Sequence, residues 1–600
     1  MAKTLEKYSL ERPPEPDHEE LGKWVWGLFE DSYAEKERLG LMDRWVSNYQ
    51  LFRGNHWGSK TRKNDLISVN LFFSNVQRTV ANITNKNPTV EVVDTDGVQD
   101  DADQALSAKM RKYWLETEQQ ATLATTCQNN EIYGITIEKH GWSRFNQSPF
   151  SVVMDAYSFF PAPGYYRDLQ EAPYIIHAYA MDVSKIEETF DLEYDSVSTE
   201  DVRTILGRED REETRPNETQ HRESGVVHAL HKNTSEVAGK ASGEKGEGLV
   251  IECWFRDAST EDGVRVVTIT NRGDIVLADM DNPNINLQME REALETSYAW
   301  GRYPFSYTNS YEDSTSLWGF SAAEQVGDLN KRIDELMSRL VAWANRAMFP
   351  PMVVEQGCGI TKSMINNKPG LVFMPTRPNA RIEFVPVPNP PQAMFQILEM
   401  VNNMFDRVYQ IEDADRGVLP TGVTAASAIV ALQERNAVLI QHKIRAIEHI
   451  ARERGRWAIS GIQNFSVTEE PVEVKGDTVT LQGIMLAGRH FNYVIESGST
   501  VAKTSLQQQE QAMALYRDQA IDRQALLETL NFQGWKEIIE RVGEGQLDNA
   551  LQILIQAGLD EETAMQLKQQ LLEPQGGPGN RQQSNAGPQP GTPRAQQGSV

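Results

Sequence analysis

The sequence predicts an α+β fold, on three observations. Residues 321–460 hold two amphipathic helical repeats that bracket a short proline-bounded segment and lead into one very long helix. Residues 151–281 turn to runs of strand length, several separated by glycine-containing turns. Helical periodicity returns over 507–572, with Leu515, Leu526, Leu530, Ile538, Leu551 and Leu567 among its apolar anchors.

In chain order, residues 20–54 carry Trp24, Trp26, Phe29, Tyr33, Trp45, Tyr49 and Phe52 in helical segments. Aromatic rings so spaced fill a core or a subunit interface more often than they stack on bases. PTVEVVD, ending at Asp94, reads as a short strand, and Asp101 to Asn130 as one long helix. Strand patterns follow at 150–156, 171–180, 225–232, 248–256, 263–271 and 273–279. The charged tract 200–223 and the Gly/Lys/Glu stretch 238–248 interrupt them as solvated connectors.

Ser321-Ala-Ala-Glu324 is a capping box and starts a helix. Val326, Leu329, Ile333, Leu336, Leu340 and Ala344 then form one apolar stripe until Pro350-Pro351 forbids continuation. Pro390-Pro391 opens a second helix with Met394, Ile397, Leu398, Val401, Phe405 and Val408 on one face. Such a hairpin leaves apolar surface facing solvent, which favours packing against neighbouring copies. In the long helix from Thr424, Arg435, Lys443, Arg445, Arg452, Arg454 and Arg456 are spread around the axis among Glu434, Glu448 and Glu453. That pattern reads as a solvated, ion-paired surface rather than a nucleic-acid groove. The stretches 471–483 and 491–498 return to strand pattern, and 574–600 is too poor in apolar residues to offset its ordering entropy.

At 600 residues the chain has the length of roughly four domains. Its 85 acidic against 59 basic residues give a net charge of −26, which argues against tight DNA binding by the whole surface. Cys127, Cys253 and Cys358 are odd in number and far apart, so neither a disulfide framework nor a paired zinc site is expected. The opening residues lack the apolar centre of a signal peptide, and no run reaches the ~20 apolar residues of a membrane span, so a soluble product without membrane insertion is expected.

Searches for chemistry return little. There is no Walker phosphate loop, and the glycines of 243–248 lack a strand-to-helix context. No zinc-protease or nucleophile-elbow motif occurs. His228 and His231 point to opposite faces of a strand, and nothing acidic completes a ligand set between His442 and His449. Asp413 and Asp415 imitate a catalytic pair but read as a polar loop after a helix. The sequence thus predicts no catalytic residue, no metal and no cofactor. Two classes stay in view as alternatives: a metal-dependent nuclease or hydrolase using clustered acids, and a structural scaffold or adaptor protein.

The run LWGFSAAEQVGDLNKRIDELMSRL, then MFPPMVV, a second helix, the loop DADRGVLPTGVTAAS and the long helix resemble the portal proteins of tailed bacteriophages. NYQLFRGNHW and VNLFFSNVQRTVANITNKNPTVEVV are similar to that family's opening helices and strand, so the resemblance covers about residues 20–570. It implies a portal-like α+β fold: N-terminal helices and wing over 1–320, a stem helix over 321–349, a clip over 350–388 and a second stem helix over 389–412. A tunnel loop over 413–424, the long helix and returning wing strands over 425–504, a helical crown over 505–573 and a disordered tail over 574–600 complete it. It implies further a non-enzymatic ring of twelve copies at one capsid vertex, assembled in the host cytoplasm, through which double-stranded DNA is packaged and ejected. A packaging terminase ATPase, the capsid protein and a tail adaptor are the implied partners. Asp413, Asp415, Arg416 and Thr421 become channel-lining groups, and Val353 and Val372 become clip contacts between subunits.

Overall fold

The computed structural model describes residues 18–57, 66–85, 87–88, 90–94, 100–194, 196–200, 202–206, 246–348, 350–360, 376–377, 381–409, 441–474, 477–495, 513–518, 520 and 526. The chain divides into two compact units, 1–502 and 503–600. Of the second, residues 513–517 are helical. The 225–232 strand pattern with its two histidines, the 410–440 segment, the 574–600 tail and most of 507–572 lie outside the described residues.

The first unit opens with helices α1 (His18–Arg38), α2 (Leu41–Phe52) and α3 (Leu71–Ile83), followed by strand β1 (Val90–Asp94). In place of one helix over 101–130 there are two, α4 (Asp101–Glu116) and α5 (Gln119–Tyr133). Thr117 turns its hydroxyl back onto the Tyr113 carbonyl at 2.6 Å, and Glu118 enters the left-handed region at φ 50°. That conformation cannot continue a right-handed helix.

Strand β2 (Ile135–Ser143) then pairs antiparallel with β3 (Ser148–Met154). Strands β4 (Phe159–Pro161), β5 (Tyr174–Asp182), β6 (Glu247–Arg256), β7 (Val264–Thr270) and β8 (Ile275–Asp281) form a five-stranded antiparallel sheet in chain order. One face of that sheet, at Phe160, Ile176, Ile251 and Val267, is covered by Leu21, Val25 and Phe29 of α1, so the aromatic N-terminal helices are core. Strand β9 (Phe305–Asn309) adds to the free edge of β2, and β10 (Tyr311–Asp313) and β11 (Ser316–Phe320) form a small hairpin.

Helix α6 (Ala322–Met348), strands β12 (Met352–Val354) and β13 (Ile382–Phe384), and helix α7 (Gln392–Tyr409) make the expected helical hairpin with a paired excursion at its tip. Helix α8 (Gln441–Phe465) is followed by the hairpin β14 (Glu470–Val474) and β15 (Asp477–Leu481) and by β16 (Phe491–Ile495). Strand β16 pairs with β1, placing Tyr493 opposite Val92.

The reading of the long helix as a solvated surface does not hold over α8. Ile444, Ile447, Ile450, Ala458, Ile459 and Ile462 are buried against Leu106, Met110 and Trp114 of α4, Leu123 of α5 and Val92 of β1. Its pairing partners also lie elsewhere: the buried Lys443 and Arg454 meet Glu131 and Glu138 rather than acids of their own helix. Gly455 is needed for close approach, since a Cβ there would lie 2.3 Å from the Tyr493 ring.

Candidate functional site

The hairpin is built from its base. Glu324 accepts the Ser321 backbone N–H at 3.0 Å, and the Ser321 hydroxyl accepts the Ala323 N–H at 2.8 Å, so the capping box is formed. The same hydroxyl donates to the Glu131 carbonyl at 2.8 Å, fastening the start of α6 to the end of α5. Between them Gly134 closes α5 at φ 84°, where a Cβ would lie 2.6 Å from the Phe320 carbonyl carbon. Only glycine satisfies both the dihedral and the space.

Along α6 the buried side chains are not only the apolar stripe. Val326 and Ile333 are buried with Asn330, Asp334 and Ser338, while Leu329, Leu336 and Leu340 are half-buried. The polar three stand four residues apart on one face and hold the segment between α2 and α3. Asn330 donates to the Val69 carbonyl at 3.1 Å, Asp334 accepts the Val69 N–H at 2.7 Å, and Ser338 accepts the Ile67 N–H at 3.0 Å. The other Asp334 oxygen pairs with His56, whose second ring nitrogen lies 3.1 Å from the Leu51 carbonyl.

Helix α7 meets this base through Phe405 and Tyr409, buried with Phe72, Val76 and Val326. Its predicted face is wider than what α6 covers. Leu398 and Val401 pack into the base, but Ile397 and Val408 stay about half exposed, as do Phe395, Met400 and Met404, which lie off the predicted face. The excursion is held by pairing of Val353 with Glu383, by the Val385 N–H to Pro351 carbonyl bond at 2.7 Å, and by Trp343 Nε1 donating to the Pro388 carbonyl at 2.8 Å. Val353 is 51% exposed, alongside exposed Phe384 and Val385, so it makes no interior contact within its own chain. Val372, Asp413, Asp415, Arg416 and Thr421 lie outside the described residues.

Other clusters of titratable groups are held by partners within the chain, although the buried His177 Nδ1 finds no hydrogen-bond partner among the described residues. Arg454 and Glu138, both fully buried, meet at 2.5 and 3.0 Å. Burial pushes the Glu138 carboxyl up, but the Arg454 charge and hydrogen bonds more than offset this and hold it below its ordinary range. His140 stacks on Trp457 and sits between the Ser151 and Ser306 hydroxyls; burial lowers it to about 4. Glu252 takes the Lys139 ammonium on both oxygens at 2.7 Å, with His177 beside it lowered by burial to about 3. Arg489 gathers Asp94, Asp100 and Asp103. Cys127, Cys253 and Cys358 are free and buried. Among the described residues no three His, Cys, Asp or Glu side chains come together as a metal-ligand set, and no helix is long and apolar enough to cross a membrane.

Residues 76–576 match the protein family described as phage SU10 portal protein. The chain belongs to this family. That stretch contains both helices of the hairpin, the paired excursion, α8 and every described strand, and it leaves out α1, α2 and the start of α3. No curated protein matches the chain. Within a tailed-phage portal protein the mixed helix and sheet architecture is in keeping with the α+β reading.

Sequence reasoning missed the polar residues that fix the base: Glu131, Asn330, Asp334, Tyr409 and Lys443. For Asn330, Asp334 and Ser338 a signal was present, since polar residues at four-residue spacing beside an apolar stripe mark a second buried face. Glu131, Tyr409 and Lys443 come from three distant helices, and no local pattern joins them.

Proposed function

We propose that the chain is one subunit of a ring, twelve copies in number, at a single vertex of a phage capsid, and that DNA enters and leaves the head through the ring's axis. The observation that carries this reading is membership of the portal family over residues 76–576. The half-exposed apolar groups of α7 and of the β12–β13 excursion support it, because a face of that kind is stable when a neighbouring copy covers it. In this reading α6 and α7 are the stem, residues 350–388 the clip on which a packaging ATPase and later a tail adaptor dock, and 413–424 the loop nearest the DNA. Asp413, Asp415, Arg416 and Thr421 line the channel there. Residues 1–320 and 425–504 form the wing that faces the capsid protein, and 505–573 the crown. The net charge of −26 suits a wall past which duplex DNA must slide, since like charge discourages sticking.

Images of the purified full-length protein test it. Closed rings with a central hole as wide as a DNA duplex, about 20 Å, are expected if head-to-tail contacts close around a rotation axis. Monomers at high concentration, or discs without a hole, overturn the reading.

A further inference from the structure

Helices α6, α7 and α8 all meet one buried residue at the end of α5. Glu131 lies in the last turn of α5, and one of its carboxylate oxygens accepts from the Lys443 ammonium at 2.8 Å and from the Tyr409 hydroxyl at 2.9 Å. The other oxygen takes the Ser310 hydroxyl at 3.4 Å, and the backbone carbonyl of the same residue takes the Ser321 hydroxyl. Ser321 caps α6, Tyr409 is the last described residue of α7, and Lys443 lies among the first described residues of α8. The rings of Tyr311 and Tyr409 lie 5.1 and 5.2 Å from the ammonium and shield it from water.

An apolar plug of the same volume would fill this space with equal or better stability, because taking two charges out of water costs several kcal/mol per ion. What apolar packing lacks is direction. A carboxylate oxygen shared by an ammonium and a hydroxyl fixes both donors relative to each other, and neither can shift without lengthening a bond that the low-dielectric interior makes strong.

We propose that Glu131 is a joint that couples the start of α6, α7 at Tyr409 and α8 at Lys443, so that a displacement at any one of these three points is passed to the other two. The joint is a property of the single chain and goes beyond the ring reading, so it stands or falls separately from it. Thermodynamic coupling of this kind is reciprocal. Loosening α7 at Tyr409 must loosen α8 at Lys443, and the reverse.

Amide hydrogen exchange of the full-length protein, followed by mass spectrometry, reads this directly. Tyr409→Phe and Ser321→Ala each remove one hydroxyl without leaving an unpaired charge. Tyr409→Phe is expected to speed exchange about tenfold at 405–409 and, through Glu131, also at 441–447 and 322–326. Lys443→Met is expected to do the same at 405–409, and if that variant does not fold, the two hydroxyl variants carry the test. Glu138→Gln disturbs an equally buried partner of α8 and is expected to speed exchange at 135–141 and 450–458 well beyond any change at 405–409. Faster exchange confined to the helix that carries each substitution overturns the proposal. So does an equal response of 405–409 to Glu138→Gln, which would make the coupling a general softening of the core.

Discussion

Removing Arg454 is expected to unfold the first unit's core more readily than any other single polar substitution in α8. Its five guanidinium N–H groups are all used: two on Glu138, two on the carbonyl and side chain of Gln119, and one on Thr126 at 3.4 Å. Both members of the ion pair are 0% exposed. Arg454→Met leaves the Glu138 carboxylate buried without its counter-charge, and breaking a buried pair from one side costs roughly 3–5 kcal/mol. That is a large part of the roughly 5–15 kcal/mol by which a domain is stable. Glu138→Leu strands the guanidinium at a comparable cost, whereas Glu138→Leu with Arg454→Met removes both charges and is expected to regain most of the loss. Urea denaturation of the wild type, the single variants and the double variant, followed by tryptophan fluorescence, measures the cycle, because Trp114 lies beside Arg454. If Arg454→Met costs less than about 1 kcal/mol, or if the double variant is as unstable as the sum of the singles, the pair is not the closed, water-free unit described above.

His140 takes its proton near pH 4 in the fold but at its ordinary 6.5 when unfolded, so stability is expected to fall by about 3 kcal/mol as pH drops from 6.5 to 4 and not to change further through this group below that. A shallower slope for His140→Gln in the same window, read from unfolding midpoints across a pH series, checks it, and an unchanged slope refutes it. Gly455→Ala drives a methyl into the Tyr493 ring and is expected to cost roughly 1–3 kcal/mol, partly recovered by Tyr493→Leu in thermal melts. Val353→Asp places charge on a half-exposed strand position, so the isolated subunit is expected to keep its melting temperature while assembly weakens in sedimentation profiles; Val372→Asp is expected to weaken assembly likewise.

The hairpin was legible because its signals are local. Ser321 and Glu324 stand three apart, Pro350-Pro351 and Pro390-Pro391 stop helices by chemistry, and β5 to β8 are alternating runs of strand length between turns. Strand β2 was not anticipated for the opposite reason. Its inward positions include Glu138 and His140, which a hydrophobic pattern excludes from a core, and their burial becomes affordable only through Arg454, more than 300 residues away, and Ser306. The same distance hid the nature of α8: its charges look solvated in sequence because the acids that neutralise them, Glu131 and Glu138, belong to α5 and β2.

This failure has a pattern that bears on function. Two buried ion pairs of the first unit stand where α8 meets α5 and β2. Apolar contacts alone would let α8 slide by small steps, since dispersion has little direction. Two ion pairs eleven residues apart on that helix, Lys443 with Glu131 and Arg454 with Glu138, fix both its rotation and its axial position. Eleven residues are close to three helical turns, so both pairs face the same side and act as two pins in one plane. Tyr409 of α7 holds the very same Glu131 carboxylate as Lys443. On the proposed reading, the loop nearest the DNA belongs to the stretch of chain between Tyr409 and Lys443, and both of those residues hold the Glu131 carboxylate.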